Sequence, residues 1–145
     1  MRRDKNLIPL SHQHHNGLAL CVLTDRSLLN DPSPENVARL AERAVDRFDL
    51  ELTNHFRIEE DVLFPAIDLP VVAELVAEHR EMERLIIGLR AMPDEKTLKA
   101  FTFLLRRHIR REEDELFEQI QQRLPPETLE RLGGEIERLV VRVCL

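Results

Sequence analysis

Residues 55–64 of this 145-residue chain read His-Phe-Arg-Ile-Glu-Glu-Asp-Val-Leu-Phe, and residues 108–117 read His-Ile-Arg-Arg-Glu-Glu-Asp-Glu-Leu-Phe. Seven of the ten positions are identical, which makes this an internal repeat and points to a two-fold arrangement of helix pairs. Each copy places a glutamate four residues after a histidine: His55 and Glu59, His108 and Glu112. On an α-helix four residues advance about 400°, so the two side chains lie about 40° apart on one face and about 6 Å apart along the axis. An imidazole and a carboxylate so placed can reach the same cation or adjacent cations, and imidazole suits iron and zinc. Upstream of each copy stands a further histidine with an apolar residue three places on: His15 before Leu18, and His79 before Met82. The candidate metal ligands are therefore His15, His55, Glu59, His79, His108 and Glu112.

All six occupy positions where a helical core stripe would carry an apolar residue. Val72, Leu75, His79, Met82, Ile86 and Leu89 follow spacings of 3, 4, 3, 4 and 3. Phe48, Leu52, His55, Glu59 and Val62 keep that rhythm, as do Leu98, Phe101, Leu105, His108 and Glu112; His15, Leu18, Val22 and Leu29 show it less sharply. Burying a glutamate unpaired in such a stripe costs on the order of several kcal/mol or forces it to stay protonated. Two buried carboxylates beside four imidazoles call for neutralising charge, and cations supply it best.

Several neighbours admit a plainer reading. His14 lies roughly 100° round the helix from His15 and is expected to be exposed. His12, one turn before His15, is a lesser candidate for an extra or supporting ligand. Glu60, Asp61, Glu113 and Asp114 recur in both copies but turn off the core face. They read as a solvated rim pairing with Arg57, Arg110 or Arg111, where ion pairs stabilise little.

Prolines mark off the elements that must position these residues. Helices are expected over about 11–30 (with Ser11 able to cap), 34–64 (Ser33 as cap, Pro34 at the first position), 70–91 and 94–123. A tail helix over about 126–143 follows Pro125-Pro126 and is weakened by Gly133-Gly134. Four helices joined by short connections run up and down beside one another. The fold class is thus all-α, an up-and-down four-helix bundle (about 11–123) with a short C-terminal helix, in a single domain. The tail could cap the bundle or pair with another copy.

Composition narrows the function. The net charge is −6 with no basic cluster standing apart from acids, so nucleic-acid binding is not expected. No apolar run approaches the length of a membrane span, and the N-terminus lacks a secretory or twin-arginine pattern, which favours a cytoplasmic protein. Cys21 and Cys144 are expected to be reduced and mostly buried. Tyr and Trp are absent, which excludes tyrosyl-radical chemistry. The Glu-x-x-His pairs of ferritin-like di-iron bundles are also missing: Leu52, Val76 and Leu105 precede the three histidines at that spacing.

Over about residues 8–123 the chain resembles the hemerythrin-like family, the HHE cation-binding bundles. The resemblance implies two iron ions in a non-haem di-iron centre, bridged by Glu59 and Glu112 with two histidines on each iron; zinc or manganese are the other metals considered. Oxygen-carrying members have His-x-x-x-His on the third helix. Here Glu83 stands four residues after His79, which argues against reversible oxygen carriage and makes Glu83 a candidate extra ligand. The implied function is binding of dioxygen or a related small oxidant (peroxide, nitric oxide) for sensing, storage or detoxification. A metal-stabilised interaction or regulatory module is the alternative, with an oxidative enzyme ranked last. Partners would be that small molecule, no nucleic acid, no membrane, and a second copy or a signalling protein.

Overall fold

Proline and side-chain caps set the boundaries of five helices in the computed structural model, which describes residues 2–143. Helix α1 is Ile8–Asn30. Helix α2 spans 34–63 and ends in a 3-10 turn, Phe64–Ala66, at Pro65. Helix α3 is Pro70–Ala91, α4 spans 95–123 and α5 is Pro126–Leu139. Ser33 caps α2 by accepting the Asn36 amide at 3.3 Å, and Asp94 caps α4 by accepting the Thr97 amide at 2.9 Å. No strand occurs among the described residues, and none of their helices is long and apolar enough to cross a membrane.

Two boundaries differ from expectation. Helix α1 begins at Ile8 with Pro9 inside its first turn, so Ser11 is already helical and does not cap. Its hydroxyl instead donates to Glu113 Oε2 at 2.7 Å. The tail helix ends at Leu139, short of the expected 143, and Val140 is extended. Gly133 and Gly134 do not interrupt it.

Helices α1 to α4 form the bundle, each packed on the next, with α4 closing back onto α1. The apolar interior falls into two clusters. One holds Leu20, Leu40, Phe48, Leu52, Phe56, Met82, Ile86, Phe101, Leu105 and Ile109. The other holds Leu7, Leu10, Ile58, Leu63, Phe64, Leu75, Leu116, Phe117 and Ile120. Leu129, Leu132 and Ile136 of α5 belong to the second cluster, so the tail helix caps the bundle. Cys21 is fully buried in the first cluster, its thiol pushed up to about 12 by burial. This is an inert packing residue; Cys144 lies outside the described residues.

The two clusters leave a layer between them, because each helix contributes residues to both. Leu52 and Phe56 belong to one and Ile58 to the other; Ile109 and Leu116 divide likewise, as do Met82 and Leu75. The histidines and glutamates of the repeat fill that layer.

The α5 contact predicts opposite outcomes for neighbouring glycines. A Cβ on Gly133 would sit 2.1 Å from the Asn6 side chain, whereas one on Gly134 would meet nothing within 4 Å. Gly133→Ala should destabilise by about 1–3 kcal/mol through overpacking. Gly134→Ala should stabilise by up to about 1 kcal/mol through helix propensity. Thermal melts of the two variants check both signs.

Candidate metal centre

Glu59 and Glu112 are both wholly buried in the layer, and four imidazoles turn their Nε2 atoms toward them. His55 Nε2 lies 3.3 Å from Glu59 Oε1 and 3.6 Å from Glu112 Oε1. His79 Nε2 lies 3.2 Å from Glu59 Oε1, and His108 Nε2 3.3 Å from Glu112 Oε1. The fourth imidazole is His14, whose Nε2 is 2.8 Å from Glu112 Oε1.

The α1 member of the set is therefore His14 and not His15. His15 is exposed and takes no part, as is His12. The spacing to Leu18 suggested the wrong register. Gln13-His14 is the counterpart of Glu78-His79, as the contacts on the outer ring nitrogens show. His55 Nδ1 meets Gln13 Oε1 at 2.9 Å, and His108 Nδ1 meets Glu78 Oε1 at 2.8 Å. A polar acceptor directly before the histidine is thus common to both copies, and it was the signal available in the sequence.

Glu60 and Glu113 also depart from expectation, for neither is merely a solvated rim. His79 Nδ1 meets Glu60 Oε2 at 2.7 Å, and His14 Nδ1 meets Glu113 Oε2 at 2.6 Å. Glu112 and Glu113 therefore hold His14 by both nitrogens, whereas Glu60 holds His79 by Nδ1, and the Nε2 of that ring lies beside Glu59 without a hydrogen bond to it. Arg80 pairs with Glu60, and Arg3 reaches Glu113 at 3.1 Å. Glu78 is anchored by Arg111 at 3.0 Å. Asp61 and Asp114, by contrast, are exposed. Glu83 stays outside the cluster, beside Arg80 Nε at 3.0 Å.

The backbone carries the same repeat. Both glutamates open a turn closed by a hydrogen bond to the fifth residue: Phe64 N–H donates to the Glu59 carbonyl, and Phe117 N–H to that of Glu112. Such π-turns gather at functional sites. A third, Phe48–Leu52, precedes His55. Phe117 then stacks on His14 with centroids 5.3 Å apart, while Phe56 and Phe64 stack on His79 at 3.9 and 5.8 Å. These rings hold the imidazoles flat against apolar surface.

Burial and mutual charge spread the ionisation of the cluster. Burial lifts Glu59 well above the usual carboxylate range, and the charge of Glu112 adds to this. Burial pushes the other way on Glu112, yet His108 and its hydrogen-bond partners hold it well below that range. Burial takes His79 down to about 2 and His55 down to about 4, helped by neighbouring histidines. Burial also opposes charge on His108 and His14. Glu112 and Glu78 nevertheless raise His108 to about 9, and Glu112 and Glu113 raise His14.

The donor set fits cations. His55 Nε2, both Glu59 oxygens and Glu112 Oε2 are buried without a hydrogen-bond partner among the described residues. Buried polar atoms seldom stay unsatisfied, and these four point into one small volume. Two groups of four ligand atoms, from His14, His55, Glu59 and Glu112 and from Glu59, His79, His108 and Glu112, each lie within 4.8 Å of one another. Ligands opposed across a cation at bonds of about 2.0–2.2 Å stand about 4 Å apart, so either group can close round one ion with little movement.

The hemerythrin HHE cation-binding domain family matches residues 7–120. The chain belongs to that family. No curated protein and no solved structure matches it significantly. Family membership and the two buried His/Glu groups together indicate metal binding. The match ends before α5.

Substitution separates the neighbouring histidines. His14→Ala should weaken cation uptake by at least about tenfold while His15→Ala leaves it unchanged, as read by calorimetric titration and metal analysis. The double variant His55→Ala/His108→Ala should take up none. Uptake should also release a proton near neutral pH, because His108, raised to about 9, holds its own until a cation displaces it. Affinity should accordingly weaken as pH is lowered, and titration in buffers of different ionisation heat measures the release.

Proposed function

We propose that this HHE protein holds two iron ions and binds dioxygen or a related small oxidant, peroxide or nitric oxide, for sensing, storage or detoxification in the cytoplasm. The observation that supports this most directly is that Glu59 and Glu112 belong to both four-residue groups. Two shared carboxylates imply two adjacent cations: His14 and His55 would hold one, and His79 and His108 the other. Iron would supply ferrous–ferric cycling and coordination positions that the four protein ligands of each group leave open.

The chain's own residues would do the rest. Hydrogen bonds on Nδ1 orient each ring with its Nε2 lone pair inward and raise its basicity as a ligand. Phe56, Phe64 and Phe117 keep water from the rings on which they stack. A surface cavity of about 240 Å³ gives a small molecule an approach, since its lining includes Phe56 and Glu60, which touch His79, together with Arg80 and Glu83. The absence of tyrosine and of any other acid–base constellation favours binding over turnover.

The layered interior also supports a structural contribution from the metal. Charged groups separate two apolar clusters, so neutralising them strengthens the junction between the two halves of the core. This is the observation that keeps the interaction-module reading in view.

Anaerobic reconstitution with ferrous iron should give about two irons per chain, as expected for two groups with shared bridges. Admitting oxygen should then produce a near-ultraviolet charge-transfer band. One zinc per chain with no response to oxygen would reject the proposal. A chelator should lower the melting temperature if the metal also supports folding, and an unchanged melt and circular dichroism spectrum would remove that second reading.

A further inference from the structure

The end of α5 and the residues that follow it, as far as Val141, lie beside the cluster and meet it through two side-chain amides. Asn54, one residue before His55, donates from Nδ2 to the Leu139 carbonyl at 3.0 Å, and its Oδ1 accepts the Val141 amide at 3.0 Å. Gln13, one residue before His14, donates from Nε2 to Asn54 Oδ1 at 3.0 Å and to the Val141 carbonyl at 3.1 Å. Gln13 Oε1 faces His55 Nδ1 at 2.9 Å.

The direction of every bond in this chain follows from the backbone. A main-chain amide can only donate and a carbonyl can only accept. The Val141 amide and the Leu139 carbonyl therefore settle which end of the Asn54 carboxamide is oxygen. Asn54 Oδ1 and the Val141 carbonyl then take both hydrogens of Gln13 Nε2. Gln13 is left with only its oxygen for His55, so His55 Nδ1 carries the hydrogen and Nε2 keeps its lone pair turned inward. His55 Nε2 is also one of the buried atoms without a hydrogen-bond partner. The ring is thus set in the tautomer that a cation requires.

We propose that the C-terminal segment Leu139–Val141 is a working part of the cation site, positioning His55 through Asn54 and Gln13. The inference rests on the reading that the cluster binds cations. It goes beyond the family, because these residues lie outside the matched region 7–120. It also applies to one cation position only. His108, the counterpart of His55, is oriented by the Glu78 carboxylate, which is held by Arg111 and not by the tail. Displacing the segment would loosen the cation at His14 and His55 and leave the one at His79 and His108 in place. The chain thereby links the docking of its own C-terminal segment to metal content.

Asn54→Ala removes both bonds that Asn54 makes to the segment and one of the two acceptors that hold Gln13 Nε2, without touching a ligand. Titrated with zinc under nitrogen, and again with ferrous iron, the wild-type chain should take up two ions. The variant should bind one of them at least about tenfold more weakly, as losses of ligand-orienting partners do, and keep the other unchanged. In the wild-type protein, hydrogen exchange at the Val141 amide should slow when zinc is added. Superimposable titrations of variant and wild type would overturn the proposal. So would equal weakening of both ions, or an exchange rate at Val141 indifferent to zinc. If neither protein takes up either metal, the cation reading itself fails and this inference goes with it.

Discussion

The rest of the molecule is arranged around two carboxylates, Glu59 and Glu112, held without exposure between two apolar clusters. A charge in such a place must be neutralised by a proton, an imidazolium or a cation. Burial favours a proton on Glu59, and Glu112 with its neighbours favours one on His108 and on His14. His55 Nε2, both Glu59 oxygens and Glu112 Oε2 have no hydrogen-bond partner among the described residues. Cations would satisfy those atoms and compete with those protons.

The helical architecture was legible in the sequence because its signals are local: prolines at the breaks, Ser33 as a cap, and core stripes at helical spacing. Five of the six residues singled out meet in the layer for the same reason, since His-x-x-x-Glu in a core stripe leaves few other places to point. His15 was misjudged because His12, His14 and His15 crowd one helix and the apolar spacing does not separate them. Only the outer contacts, Gln13 on His55 and Glu78 on His108, settle the register. Glu60 and Glu113 resemble rim residues in the sequence because a regular helix turns them away from the core. Ser11 was misplaced because α1 starts three residues earlier, on the far side of Pro9.

The repeat is structural as well as sequential. Phe64 stacks on His79 as Phe117 does on His14. The copies part where their outer histidine contacts are made: Gln13 is neutral where Glu78 is a carboxylate. The two halves of the centre therefore orient their histidines by different means. One relies on an ion pair contained within the bundle, while the other uses amides bonded to backbone at and just beyond the end of α5.

Each of the wide turns at Glu59–Leu63 and Glu112–Leu116 takes in one residue more than an ordinary helical turn. Excising a single residue from either would restore ordinary winding and slip the phase of everything downstream by about 100°. Phe64 would then leave the face of His79, or Phe117 that of His14, without any change in the groups that make up the cluster.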